Sequence, residues 1–170
     1  DLIKISEITN LTIFQIVQYK NSVISIDQKK IDNLKMSPKV LSVNNNINTR
    51  IIWNGPRNWL IISSNNQILN EIRQQFDENN FAVTDLSHSR AIIELEGNQA
   101  KEVLKKGCPF NFNELNKDNS LNSVYHGISI TVDMLDDKPY KFRIFALRSF
   151  GESLYHSITD ASLEFGYLGK

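Results

Sequence analysis

The stretch TDLSHSRAIIELEGNQAKEVLKKGCP, residues 84–109, decides the fold because it predicts a strand, a turn and a short helix in succession. Its apolar run at 91–95 predicts a buried strand over 91–96. Gly97 opens the turn, and the apolar residues that follow share one helical face (Ala100, Val103, Leu104). Gly107 and Pro109 then predict where the helix ends. The stretch indicates secondary structure and contains no convincing group of catalytic residues.

The rest of the second half predicts a polar loop, two paired strands and a closing helix that ends at Gly166 (110–120, 122–134, 140–147 and the final segment). Residues 136–138 are typical of the turn between the two strands. Ser149 and Glu152 have the spacing of a capping box, in which the serine oxygen accepts an amide hydrogen bond at the start of the helix. The predicted order is therefore strand, helix, two strands and helix.

The first half predicts a similar order of elements from its apolar periodicity. These elements are a strand at 11–18, a helix at 26–36, two strands at 49–53 and 58–63, a helix at 66–79 and a strand at 81–86. The two central strands are expected to form a hairpin, because Gly55 and Pro56 between them are turn residues.

Two halves with a similar order of elements predict an α+β fold built from two split-βαβ, ferredoxin-like lobes with antiparallel sheets. The N-terminal α+β lobe is expected to span 1–83 and the C-terminal α+β lobe 84–170, with a boundary across which a strand can be exchanged. A chain of 170 residues is long enough to bury a core in such lobes.

Composition excludes several classes of partner. Lys and Arg number 19 and Asp and Glu also number 19, so no net charge attracts the chain to nucleic acid. No apolar run approaches the roughly 20 residues that span a bilayer, so no membrane partner is expected. Cys108 is the single cysteine, which rules out an internal disulfide and indicates a reducing compartment. A cytoplasmic protein is predicted.

Candidate reactive groups are few and have structural interpretations. His88 lies among Asp85, two serines and Arg90, but neighbours in a tight turn mostly satisfy backbone groups rather than form a triad. His126 and His156 have no second ligand at a metal-site spacing. The thiol of Cys108 is either a nucleophile or a small buried apolar group, and the second interpretation is favoured.

Four blocks resemble the gamma subunit family of heterotetrameric sarcosine oxidase, which is similar to the aminomethyltransferase-like, folate-binding superfamily. They are WNGPRNWLII, TDLSHSRAIIELEG, LKKGCPF and ALRSFGESLYHSI, and together they cover roughly the last two-thirds of the chain. Departures from the family pattern are Arg57 in place of an acidic turn residue and Asn111 after the cysteine block. The resemblance implies the aminomethyltransferase-like folate-binding fold.

The resemblance also implies a function and a set of partners. The chain would be an accessory, non-catalytic subunit of a complex that oxidatively demethylates sarcosine to glycine and passes the methyl carbon to tetrahydrofolate. FAD, FMN, NAD and tetrahydrofolate would lie on other subunits, with no cofactor in this chain. Its partners would be large alpha and beta flavoprotein subunits and a small delta subunit. Arg148, Phe150 and Trp59 are the candidate interface residues, because arginine and aromatic residues are enriched at interface cores.

Two alternatives remain open. In a stand-alone folate-dependent one-carbon transferase, Arg57, Arg90 or Arg148 would contact the folate glutamate, and Asp85 is the nearest candidate for a catalytic aspartate. In a folate-binding protein of iron-sulfur assembly, Cys108 would be reactive. The motif of that second family is broken after Phe110, where Asn111 and Phe112 replace the expected glycine and glutamine.

Overall fold

A computed structural model describes residues 2–169, which divide into two compact units. One unit is formed by 10–87, and the other combines 2–9 with 88–169. The strands are β1 (Ile3–Glu7), β2 (Thr12–Gln18), β3 (Lys30–Ile31), β4 (Leu34–Lys35), β5 (Val43–Asn45), β6 (Thr49–Gly55), β7 (Asn58–Ser63), β8 (Phe81–Asp85), β9 (Arg90–Glu96), β10 (Ser120–Tyr125), β11 (Ile128–Asp137), β12 (Tyr140–Leu147) and β13 (Tyr167–Gly169). The α-helices are α1 (Ile68–Gln75), α2 (Ala100–Gly107) and α3 (Gly151–Ser162).

The unit formed by 10–87 contains an antiparallel five-stranded sheet in the order β5-β6-β7-β2-β8. Because β2 lies between β7 and β8, the hairpin β6–β7 is separated from the last strand by the first one. This is the strand order of a split-βαβ, ferredoxin-like lobe. The predicted hairpin at 49–63 is confirmed, and Arg57 adopts a positive φ of 58° in its turn.

The predicted helix over 26–36 is wrong. A short 3-10 helix at Ile26–Gln28 is followed by the β3–β4 hairpin, in which Asp32 and Asn33 have φ of 52° and 63°. Aspartate and asparagine tolerate this left-handed region better than most residues. The buried apolar residues recur every five positions, a spacing that does not keep side chains on one face of a helix (Ile26, Ile31, Met36).

Asp32 holds this hairpin in place. Its carboxylate accepts a hydrogen bond from Thr49 Oγ1 at 2.6 Å, and its backbone N–H donates to Glu71 Oε1 at 2.7 Å. Its backbone carbonyl accepts from Asn46 Nδ2 at 2.9 Å. Thr49 and Ser63 are buried, and their hydroxyls lie 2.7 Å apart. The hairpin is therefore tied to β6 and α1 by polar contacts, where the sequence suggested a helix packed by apolar ones.

The other unit contains a six-stranded sheet in the order β10-β11-β12-β9-β1-β13. Its neighbouring strands are antiparallel except β1 and β13, which are parallel, so this sheet is mixed rather than purely antiparallel. The strands β11, β12, β9 and β13 follow the split-βαβ order, with β1 inserted before the last strand. The α+β class and the ferredoxin-like organisation are thus confirmed, with one parallel pair added.

Two strands of this sheet were not expected from the sequence. No element is predicted before residue 11, although in Ile3–Glu7 the fully buried Ile3 and Ile5 alternate with polar residues as in a strand. Tyr167–Gly169 follows the last helix and pairs with β1. The predicted lobe boundary at 83/84 lies four residues before the observed change of unit at 87/88, and residues 2–9 belong with the second half.

Two local predictions in the second half also differ from the structure. The strand predicted over 122–134 is interrupted, because His126 and Gly127 have φ of 45° and 84° and form the tight turn between β10 and β11. The capping box is wrong. Ser149 lies in a 3-10 helix at Arg148–Phe150, and the N-cap of α3 is Phe150, which makes no side-chain capping hydrogen bond.

Charged side chains from three strands form an ion-pair ladder on one face of the mixed sheet. Lys4 of β1 lies 3.0 Å from Glu96 of β9, and Lys141 of β12 lies 3.2 Å from the same side chain. Lys141 is also 2.7 Å from Glu94, which lies 3.0 Å from Arg143. Hydrogen bonds from Lys4 and Lys141 hold the pKa of Glu96 below its ordinary value of 4.5.

The ladder predicts a specific dependence of stability on pH. Because the folded-state pKa of Glu96 is depressed, its contribution is present above the unfolded pKa near 4.5 and is lost as the pH falls through the folded value. Glu96→Gln is therefore expected to lower the urea midpoint at neutral pH. The free energy of unfolding of this variant should also fall less than that of the wild type between about pH 6 and about pH 3. Glu78→Gln, an exposed change outside the ladder, is the control. An unchanged acid dependence in Glu96→Gln would contradict the assignment.

Candidate functional site

The turn that contains His88 is a structural turn. Ser87 donates both its backbone N–H and its hydroxyl to Asp85 Oδ1, at 2.9 and 2.6 Å. Ser87 Oγ also accepts from the backbone N–H of Ile13 at 3.0 Å. The side chain of His88 is exposed. The carboxylate and the hydroxyl are thus used to fix the turn, as expected for neighbours in a tight turn.

Arg148 is bound to the backbone of the same region. Its Nε donates to the carbonyl of His88 at 3.0 Å, and its Nη2 donates to the carbonyl of Arg90 at 2.6 Å. Its Nη1 lies 3.8 Å from the carboxylate of Glu7. The guanidinium therefore joins the start of β9 and the end of β12, although 52% of its side chain remains exposed.

Two apolar side chains flank Arg148 at the surface. Leu147 and Phe150 are each 46% exposed; Leu147 is the last residue of β12, and Phe150 lies in the short connection between β12 and α3. We call these three residues the Phe150 surface. A cavity of about 360 Å³ lies beside Arg148 and is lined by residues of β1, β9, the 3-10 turn and α3 (Glu7, Ala91, Ile93, Arg148, Gly151, Glu152, Tyr155). The Phe150 surface contains two of the three candidate interface residues.

Trp59, the third candidate interface residue, lies in the core of the unit formed by 10–87. It is 2% exposed, and its Nε1 donates to the backbone carbonyl of Ser37 at 2.7 Å. The indole belongs to an apolar cluster with Phe14, Ile51 and Ile61. An indole in this position packs the core and presents almost no surface to a partner.

The block LKKGCPF, which contains Gly107 and Cys108, is also part of a core. Cys108 is 4% exposed, and its Sγ donates to Ser123 Oγ at 3.1 Å. A Cβ on Gly107 would lie 2.8 Å from ring atoms of Tyr125 and of His126, so this position requires glycine for close packing. Sequence analysis had assigned that glycine to the helix stop alone. The placement of Cys108 favours the buried, structural interpretation over a nucleophile.

Tyr125 lies beside this block and is fully buried. Its hydroxyl donates to the backbone carbonyl of Val103 at 3.0 Å. Burial is the main cause that raises the pKa of Tyr125 to about 12, and the nearby Cys108 and Asp160 add smaller electrostatic effects in the same direction. A phenol held neutral in this way pins α2 to β10 and does not serve as a base near neutral pH.

The remaining candidate residues lie apart from any shared cluster of ligands. His126 packs edge-on against Tyr125 at a ring distance of 4.9 Å, and His156 is exposed on α3. Arg57 donates to the backbone carbonyl of Tyr19 at 2.7 Å, and Arg90 donates to Ser89 Oγ at 3.1 Å. Among residues 2–169, no group of three or more His, Cys, Asp or Glu side chains is placed to hold a metal ion. No described helix is both long and apolar enough to cross a membrane.

A larger groove, which sequence analysis missed, lies in the unit formed by 10–87. Its volume is about 820 Å³, and its lining comes from β2, α1 and β8 with the segment between them (Phe14, Tyr19, Leu69, Arg73, Phe76, Asp77, Glu78, Phe81, Ala82, Val83, Asp85). The helix predicted over 66–79 is shorter in the structure, ending at Gln75, and Leu69 is only partly covered. A short helix beside an edge strand is the signal that could have located this groove.

Comparison with known proteins decides the family. The sequence profile of the "Sarcosine oxidase, gamma subunit family" matches residues 27–164. The chain belongs to this family. It is 28% identical over 120 residues to "Sarcosine oxidase subunit gamma" of Corynebacterium sp. (strain U-96), a match that covers 69% of this chain. The chain matches 58% of the length of that relative.

Two solved structures share the fold. One is a chain of "Heterotetrameric Sarcosine Oxidase from Corynebacterium sp. U-96 in complex with pyrrole 2-carboxylate", with a TM-score of 0.84 at 22% identity, covering 98% of this chain and 86% of that chain. The other is the glycine cleavage system aminomethyltransferase T from Bartonella henselae, with a TM-score of 0.63 at 13% identity, covering 92% and 45%. These likenesses confirm the predicted aminomethyltransferase-like fold.

The contact between α3 and β9 next to Arg148 generates a testable prediction. A Cβ on Gly151 would lie 2.9 Å from the Cβ of Ala91, which is closer than carbon atoms pack without movement. Gly151→Ala is therefore expected to lower the free energy of unfolding by about 1–3 kcal/mol, although alanine is the better helix former. Ala91→Gly in the same chain should relieve the clash, so the two changes together should cost less than their sum. Urea denaturation of the four proteins tests this, and a more stable Gly151→Ala would contradict it.

Proposed function

We propose that this chain is the accessory, non-catalytic gamma subunit of a cytoplasmic heterotetrameric sarcosine oxidase. The observation that carries the proposal is the family match over residues 27–164. The complex would oxidatively demethylate sarcosine to glycine, pass the methyl carbon to tetrahydrofolate and deliver electrons through flavin to oxygen. The partners would be the large alpha and beta flavoprotein subunits and a small delta subunit.

An accessory role is supported by what the reactive groups of this chain do. Asp85 fixes a turn through Ser87, Cys108 is buried against Ser123, and Arg148 is bound to backbone carbonyls. These groups support the fold. FAD, FMN, NAD and tetrahydrofolate would therefore be held by the other subunits, and this chain would contribute packing surface to the complex.

The Phe150 surface is the proposed contact with a large subunit. Leu147 at the end of β12 and Phe150 in the connection that follows are each 46% exposed, and the two hydrogen bonds of Arg148 between them hold the backbone. An aromatic residue on a rigid support is typical of an interface anchor, because little conformational freedom is lost on binding. Arg148 acts in this proposal by positioning the connection.

Co-purification tests the proposed function. The tagged chain, purified under native conditions from its source cells, is expected to bring down two large subunits and one small subunit, identified by mass spectrometry. The eluate should be yellow, with the visible absorption of bound flavin. A colourless chain that elutes alone and binds tetrahydrofolate in calorimetry would overturn the proposal in favour of a stand-alone folate-dependent protein.

A charge placed on the Phe150 surface is expected to break the assembly. In Phe150→Asp the chain should remain folded, because the side chain is 46% exposed, but co-purification of the large subunits should fall at least about tenfold since hot-spot aromatics contribute 2 kcal/mol or more. Leu163→Asp is the matched control, because Leu163 is 64% exposed just after α3 and lies outside the Phe150 surface. Equal recovery of the large subunits by both variants would exclude this surface as the contact.

A further inference from the structure

The strand β8 ends the five-stranded sheet and is paired on one side. At one end of the pair the N–H of Tyr19 donates to the carbonyl of Asn80, and at the other the N–H of Leu86 donates to the carbonyl of Ile13. Hydrogen-bonded pairs alternate along an antiparallel ladder. The even-numbered residues of β8 therefore direct their backbone groups toward β2, and the odd-numbered residues direct theirs away from the sheet.

Val83 is the central outward-facing residue of this edge. Its N–H and C=O point away from β2, and within residues 2–169 no strand pairs with the outer side of β8. Phe81 also faces outward, but its N–H already donates to the carbonyl of Asp77 at 3.0 Å. The open part of the edge therefore begins at Val83. The segment 82–84 carries no charge, proline or bulge of the kind that usually blocks an edge strand.

The groove of about 820 Å³ lies directly against this edge. Its apolar lining comes from the face of the sheet and from α1. Val83 of β8 and Leu69 of α1 are both only partly buried. Phe76 and Phe81 form the bottom of the groove, and their rings pack edge-to-face with 4.9 Å between the ring centroids. A side chain from a strand added to β8 would enter this groove, because side chains leave a strand alternately on its two faces.

The rim of the groove is acidic. Asp77, Glu78 and Asp85 line it together with a single basic residue, Arg73. Three of these four side chains are therefore negative at neutral pH, in a chain whose net charge is zero. This local excess favours an occupant that carries lysine or arginine.

We propose that β8 and its groove bind an extended segment of a partner polypeptide that carries lysine or arginine next to an apolar residue. The segment adds a sixth strand to the sheet through the backbone of Val83, places its apolar side chain in the groove and directs its basic side chains to the acidic rim. Strand addition of this kind takes its affinity from main-chain hydrogen bonds and its specificity from alternate side chains. The inference rests on the proposed function in that the partner is another subunit of the complex.

Hydrogen exchange on the native complex tests the strand addition without a mutation. The amides of Ala82 and Thr84 should be protected both in the free chain and in the complex, because they pair with β2. The amide of Val83 should exchange rapidly in the free chain and at least about tenfold more slowly in the complex. Equal exchange of the Val83 amide in both states would overturn the proposal while leaving the subunit assignment intact.

A pair of substitutions at Val83 tests the role of the outward N–H. Val83→Pro removes this donor and leaves the hydrogen bonds to β2 in place, since proline is tolerated at the outer side of an edge strand. Association with the other subunits should weaken at least about fivefold, which corresponds to loss of one hydrogen bond or more. Val83→Thr keeps the N–H and the branched shape and should associate normally. Equal association by the two variants would contradict the proposal.

The acidic rim has its own test. Glu78→Lys should weaken association about twofold to fivefold and make it less sensitive to added salt, whereas Glu78→Gln should have the smaller effect. A salt response unchanged in Glu78→Lys would exclude a basic occupant. If this chain forms no complex in any of these preparations, the proposed function fails together with the strand addition, whereas a complex with an exposed β8 edge rejects the strand addition alone.

Discussion

The pairing of β1 between β9 and β13 is the constraint on which the mixed sheet depends. The residues of β1, Ile3–Glu7, pair with β9, which begins more than eighty positions later in the chain, and with β13, the last described strand. Without β1, the strand β13 has no neighbour and Lys4 is absent from the ion-pair ladder. Because β1 pairs with strands that are distant in sequence, residues 88–169 cannot complete this sheet without residues 2–9.

The sequence predicted elements well where a local pattern and a local stop signal agree. The strand at 91–96, the following helix and the hairpin at 49–63 each have an apolar period bounded by turn residues. The prediction of a helix at 26–36 was wrong because three widely spaced apolar residues resemble one thin face of a helix. What makes this segment a hairpin is the pair Asp32–Asn33, which lies in the left-handed region. The strand β1 was missed for another reason. Its five residues are too few to give a clear local pattern, and they form a strand because they pair with strands distant in sequence.

The candidate site was harder to predict than the fold, and Gly107 and Trp59 explain why. Both belong to blocks that resemble the family, and both are required by packing: Trp59 fills a core, and Gly107 lets α2 approach the ring of Tyr125. In this chain the residues of these two blocks that look functional serve close contact between elements. By contrast, Val83 has no motif at all, because an open backbone edge depends on sheet order and not on side-chain identity.

The likeness to an aminomethyltransferase at 13% identity is a statement about backbone architecture. In this chain the candidate catalytic and folate-binding residues make contacts within the fold. The carboxylate of Asp85 accepts from Ser87, and the guanidinium of Arg148 joins two strand ends. Each of these contacts would be lost if the side chain turned toward a substrate. Recognition by such a scaffold would then depend on its surface, where residues 2–169 present an exposed aromatic residue, Phe150, and an open strand edge at β8; both kinds of surface are used in protein–protein recognition.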